Sequence, residues 1–95
     1  MTKYEMLYIL NAEATDEVKE AIINRFEAIV KDNGGEVEAI DKWGNKKLAY
    51  AIDYKTEGYY VLMTFACDPS LIKEIDRIAG INENVIRRLI TKRNA

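Results

Sequence analysis

Segments with a two-residue apolar repeat and segments with a helical repeat follow one another along this chain in an order that few folds accept. Tyr4 to Leu10 reads as a strand, with Tyr4, Met6, Tyr8 and Leu10 on one face and Glu5, Leu7 and Ile9 on the other. Thr15 is a natural N-cap. Asp16 and Glu17 follow in a first turn that favours negative charge, and Val18, Ile22, Arg25, Phe26, Ile29 and Val30 recur at helical spacing as far as Gly34-Gly35. Glu36 to Ile52 is extended, but Trp43-Gly44-Asn45 interrupts it, and the residues allow either a hairpin turn or a bulge in one bent strand. Asp53 to Gly58 reads as a turn and Tyr59 to Cys67 as the clearest strand. Asp68-Pro69 opens a second helix whose apolar side is Leu71, Ile72, Ile75, Ile78 and Ala79, with Gly80 expected to end it. Val85 to Lys92 is a last strand.

Strand, helix, strand, strand, helix, strand is the split βαβ order. It predicts an α+β, ferredoxin-like fold: a four-stranded antiparallel sheet with both helices packed on one face. The 95 residues are expected to form a single domain (residues 1–95), since 48% of them are hydrophobic, enough for one core. No linker, repeat or low-complexity stretch divides them.

The residue types exclude most chemistry. There is no histidine and one cysteine, Cys67, so Cys/His zinc sites, iron–sulfur ligation and an internal disulfide are out of reach, and no cofactor or metal is expected. Gly34-Gly35 is only a pair and makes no phosphate loop. Glu36 and Glu38 share a strand face but read as a solvated edge, with nothing apolar nearby to shift them. Asp68 beside Cys67 disfavours the thiolate, and Ser70 has no base. A binding protein is expected, not an enzyme. The opening MTKYEMLYIL lacks the pattern of a signal peptide, and no run is long enough to span a bilayer, so a cytoplasmic location is expected and no membrane partner.

Charge is unevenly spread. Residues 1–40 carry four basic and nine acidic side chains, whereas residues 85–95 hold Arg87, Arg88, Lys92 and Arg93 with no acid. Lys46 and Lys47 form a second basic group after the Trp43-Gly44-Asn45 corner. Arg87 and Arg88 point to opposite faces of an extended strand, so at least one belongs on open surface, available to phosphate. If Met6, Tyr8, Val61, Met63 and Phe65 face the helices, then Leu7, Ile9, Tyr60 and Leu62, joined by Leu89, form an apolar patch on the open side. Docking there requires that the chain's own atoms leave this side unplugged and that internal ion pairs leave the rim arginines available.

The topology is that of the RNA recognition motif, and Gly58 to Phe65 resembles its base-stacking strand in outline. Glu57 stands where that motif has a basic residue and Tyr60 where it has Gly or Ala, which argues against stacking in that mode.

Over essentially its whole length the chain resembles bacterial ribosomal protein six of the small subunit. The most specific block is Trp43-Gly44-Asn45-Lys46-Lys47-Leu48-Ala49-Tyr50-Ala51-Ile52. Lys3-Tyr4-Glu5, Gly58-Tyr59-Tyr60 and Asn84-Val85-Ile86-Arg87-Arg88-Leu89 follow the family in order. The resemblance implies a non-enzymatic ribosome component. It pairs with ribosomal protein eighteen, and together they bind the central domain, or platform, of small-subunit ribosomal RNA. It also implies one bent strand from Glu36 to Ile52, bent at Gly44, with a hairpin turn at Asp53 to Gly58. By position, Lys3, Lys46, Lys47, Arg87, Arg88, Lys92 and Arg93 are the candidates for RNA contact. Leu7, Ile9, Trp43, Tyr50, Tyr60, Leu62 and Leu89 are the candidates for the protein partner. Thr2 departs from relatives that carry a second basic residue there.

Two other functions share the topology. A ligand sensor that dimerises through its sheets needs a pocket floored by glycine turns, and Asn11 to Thr15 has no glycine. A hydrolase of the acylphosphatase type needs an arginine in that same loop, which has none.

Overall fold

The structure, a computed structural model, describes residues 1–52 and 55–93, with residues 49–52 and 55 described by their backbone only. The elements are β1 (Thr2–Asn11), α1 (Asp16–Asp32), β2 (Glu36–Ile52), β3 (Lys55–Cys67), α2 (Leu71–Ile81) and β4 (Val85–Lys92). They form one antiparallel four-stranded sheet in the order β2-β3-β1-β4, the expected ferredoxin-like arrangement.

Local chemistry sets the helix ends. The Thr15 side chain accepts a hydrogen bond from the Val18 N–H at 3.2 Å, satisfying a donor that the first helical turn leaves open. At the other end Gly34 takes a φ of +79°, the left-handed conformation that stops a helix at little cost to glycine. The start of α2 differs from expectation. Asp68, Pro69 and Ser70 form a turn before the helix, with the Asp68 carboxylate accepting from both the backbone N–H and the hydroxyl of Ser70. Gly80 does not end α2, which runs one residue further. Its missing side chain makes room for the Arg88 guanidinium, whose Nη2 lies 3.0 Å from where a Cβ would stand.

The core lies between the helices and one face of the sheet. Tyr4, Met6, Tyr8 and Leu10 of β1 and Val61, Met63, Phe65 and Cys67 of β3 meet Ile22, Ile23, Phe26 and Val30 of α1 and Leu71, Ile75, Ile78 and Ala79 of α2. Each large side chain buried there contributes roughly 1.5–3 kcal/mol. Tyr8 and Phe26 meet edge to face, with centroids 5.0 Å apart. Burial, reinforced by the charge of Glu20, pushes the ionisation of the Tyr8 hydroxyl well above its ordinary range. Burial likewise raises the Cys67 thiol, with Asp68 adding to it, so this cysteine packs as an apolar residue.

β2 is one continuous strand with irregular pairing. Its register against β3 shifts between Val37 and Ala39 and again between Lys42 and Gly44, where Gly44 has a φ of +84°. Trp43-Gly44-Asn45 is therefore a bulge in a bent strand and not a hairpin turn. The turn expected over Asp53 to Gly58 does not reach Gly58. β3 begins at Lys55, which pairs with Ile52, and residues 53 and 54 lie outside the described residues.

Candidate interface on the open side of the sheet

Strand alternation fixes which side chains turn away from the helices. Leu7 stands opposite Leu62 on β3 and Leu89 on β4, and Ile9 stands opposite Tyr60 and Arg87. The bulge adds Trp43 to this face: its indole stacks on Tyr60 with centroids 6.3 Å apart and planes 13° apart. Lys46 follows, its Nζ 5.1 Å from the centre of the indole, a cation over an aromatic face. A shallow hollow of about 240 Å³ sits among Leu7, Ile9, Tyr60, Arg87, Arg88 and Leu89. Trp43 is 44% exposed and Leu89 is 59% exposed, large values for side chains of this kind. Ile9 differs from expectation. It is only 7% exposed, and its Cγ2 fills the space over Gly58 that a side chain there would take. Tyr50 lies outside the residues whose side chains are described.

The seven candidate cations divide between two faces. Pairing places Lys3, Lys46, Arg87 and Arg93 with the open side. Lys47, Arg88 and Lys92 fall on the opposite parity, Lys92 across from Tyr4 and Arg88 across from Tyr8. Their electrostatic states also differ. The Arg88 Nε donates to Asp76 of α2 at 2.8 Å. Arg93 meets Glu5 at 3.2 Å and Glu38 at 3.8 Å, and Lys3 meets Glu38 at 3.4 Å. Arg88 and Arg93 are thus already held in internal ion pairs, contrary to the availability that docking required. Lys47 and Lys92 make no ion pair among the described residues.

The sequence reading missed Lys19. It is 7% exposed, its Nζ donates to the Ala12 carbonyl at 3.1 Å, and it lies 4.8 Å from the centre of the Tyr59 ring. It pins the β1–α1 loop to the sheet. Its place one turn before Ile22 and Ile23, on the apolar side of α1, is the signal that marks it. Lys42, by contrast, reaches over to Glu20 of α1 at 2.6 Å, which raises its pKa and ties β2 to the helix layer.

Comparison with known proteins agrees with this architecture. The family model described as Ribosomal protein S6 matches residues 3–92. The small ribosomal subunit protein bS6 of Thermoanaerobacter pseudethanolicus is 44% identical over 92 residues, 97% of each chain. That of Clostridium acetobutylicum is 46% identical over 90 residues, 95% of each. The crystal structure of 30S ribosomal protein S6 from Thermotoga maritima superposes with a TM-score of 0.91 at 25% identity, covering 97% of this chain and 87% of that one. With a family match across nearly every residue, relatives matched end to end and the same fold in a solved relative, the chain belongs to the ribosomal protein S6 family, structural constituents of the small ribosomal subunit in the cytoplasm.

Proposed function

We propose that this chain, acting as one domain, binds the central domain of small-subunit ribosomal RNA in the platform together with ribosomal protein eighteen, and that it does so without catalysing a reaction. One observation carries the reading: the side of the sheet that neither helix covers holds Leu7, Trp43, Tyr60, Leu62 and Leu89 beside Lys46 and Arg87. The apolar residues, with Ile9 beneath them and Tyr50 on the same ribbon, are the protein-facing part. Lys46, Lys47, Arg87 and Lys92 meet RNA. Lys3, Arg88 and Arg93 join them, each exchanging a carboxylate for a phosphate. Exposed ion pairs are weak, about 0–1 kcal/mol each, so an RNA backbone that reaches these cations can displace the carboxylates.

A net charge of −2 explains why a partner is needed. Affinity for RNA comes mainly from neutralised phosphates, and this chain supplies a local set of cations and no overall positive field.

The test is to purify the tagged chain from cells and ask whether small-subunit RNA and ribosomal protein eighteen accompany it. Arg87→Ala combined with Lys92→Ala is expected to lower that recovery with the thermal melt unchanged. Undiminished RNA recovery removes the reading.

A further inference from the structure

On the open side, Lys3 and Arg93 share a carboxylate of the protein itself. The backbone N–H of Arg93 donates to the Lys3 carbonyl at 2.8 Å, which seats Arg93 directly beside β1. From there its guanidinium reaches Glu5 and Glu38, while Lys3 reaches the other oxygen of Glu38. Two positive and two negative groups give this end of the face no net charge. Glu38 is the hub, since it alone touches both cations. It holds that position because it is the extra residue of the first β2 bulge: Val37 pairs with Phe65 and Ala39 with Thr64, leaving Glu38 without a cross-strand partner of its own. Bulges commonly serve to re-aim one side chain in this way.

We propose that Glu38 is a specificity-determining carboxylate, a latch that keeps Lys3 and Arg93 from nucleic-acid phosphate unless an RNA backbone reaches both cations at once. This rests on the RNA-binding reading above. A phosphate that meets one cation must compete with a carboxylate still held by the other. A backbone shaped to bridge the pair displaces Glu38 outright and gains the planar fork of Arg93. Opposing charge of this kind weakens wrong ligands more than the right one.

The experiment uses the intact chain with ribosomal protein eighteen. Binding is measured on a central-domain transcript and on polyuridylate over a salt series. Glu38→Gln keeps the size and shape of the side chain and removes the latch. Association is expected to rise roughly twofold to fivefold, the salt dependence to steepen by about one phosphate contact, and the gain to be larger on polyuridylate. Glu13→Gln is the control. It makes the same change in net charge in the loop that follows β1, whose far end lies about 27 Å from Lys3 along the strand, beyond a screening length of about 10 Å, and is expected to leave both affinities unaltered. The latch is overturned if Glu38→Gln binds neither RNA more tightly than the parent chain, or if Glu13→Gln matches its gain. Lys47→Ala and Lys92→Ala separate the two ideas. If they lose affinity while Glu38→Gln gains none, only the latch fails. If they lose none and Glu38→Gln gains none, RNA binding by these cations fails and takes the latch with it.

Discussion

The indole of Trp43 lies nearly parallel to the ring of Tyr60, their planes 13° apart. Trp43 reaches Tyr60 because the register slips between Lys42 and Gly44, which turns two consecutive β2 residues toward the same face. Trp43 is the only tryptophan in the chain, so its fluorescence reports on this face alone. Adding ribosomal protein eighteen is expected to shift its emission to the blue and reduce quenching by iodide, as docking removes water from the exposed indole. Tyr60→Leu is expected to increase quenching in the free chain. An emission spectrum unchanged at saturating partner places the docking surface elsewhere.

Gly58 pairs with Asn11 at the end of β1, and a Cβ there would stand 2.2 Å from Cγ2 of Ile9. Gly58→Ala is therefore expected to lower stability by about 1–3 kcal/mol, the usual cost of overpacking. Urea unfolding of Gly58→Ala, Ile9→Ala and the double variant checks the cause. Alanine at position 9 removes the clashing methyl, so the double variant is expected to lose less than the sum of the two single losses.

Gly44 has a φ of +84° and open space where a side chain would go. The penalty for a side chain is conformational and not steric. Gly44→Ala is expected to cost about 1–2 kcal/mol, and Gly44→Asn less, because asparagine tolerates the left-handed region. Equal losses for the two variants in a denaturant titration would show that the bulge does not depend on this conformation.

The Asp68 carboxyl is held below its ordinary range by the hydrogen bonds it accepts, first from the Ser70 N–H and then from the Ser70 hydroxyl. A carboxyl lowered in the folded state contributes stability above the unfolded value, about 3.9 for aspartate, and loses it as the pH falls through the folded value. Glu74, lowered by its hydrogen bond from Arg77, acts in the same direction. Urea midpoints measured from neutral to acid pH are expected to fall less steeply for Asp68→Asn, which keeps an acceptor oxygen and cannot titrate. A slope identical to the parent's would assign the acid sensitivity to other groups.

Much of this fold is legible from residue order because its signals are local. The alternation in β1, the Thr15 cap and the Gly34 stop each need only a few neighbouring residues, and each is found as read. The face assignments of Leu7, Tyr60, Leu62 and Leu89 follow from strand parity alone. The misreadings are non-local. Gly80 reads as a helix stop, but its role is set by Arg88, which lies on another element. Polar residues 55–58 read as a turn, but they pair with β2 and lengthen β3. In the interface, sequence identifies which residues are cationic but not which carboxylates face them. Glu38 lies 35 positions from Lys3 in sequence, and only the sheet brings them together. The burial of Lys19 against Tyr59 is hidden for the same reason.

The strand order has a consequence for the chain as it is made. β1 is synthesised first but sits between β3 and β4, so its backbone is not fully paired until Val85 to Lys92 has emerged. Any product that stops short of β4 leaves the inner edge of β1 bare beside Leu7 and Ile9, a template for unwanted strand pairing. Completion of the sheet therefore depends on completion of translation, and a truncated copy of this protein is a potential aggregation seed and not a smaller working part.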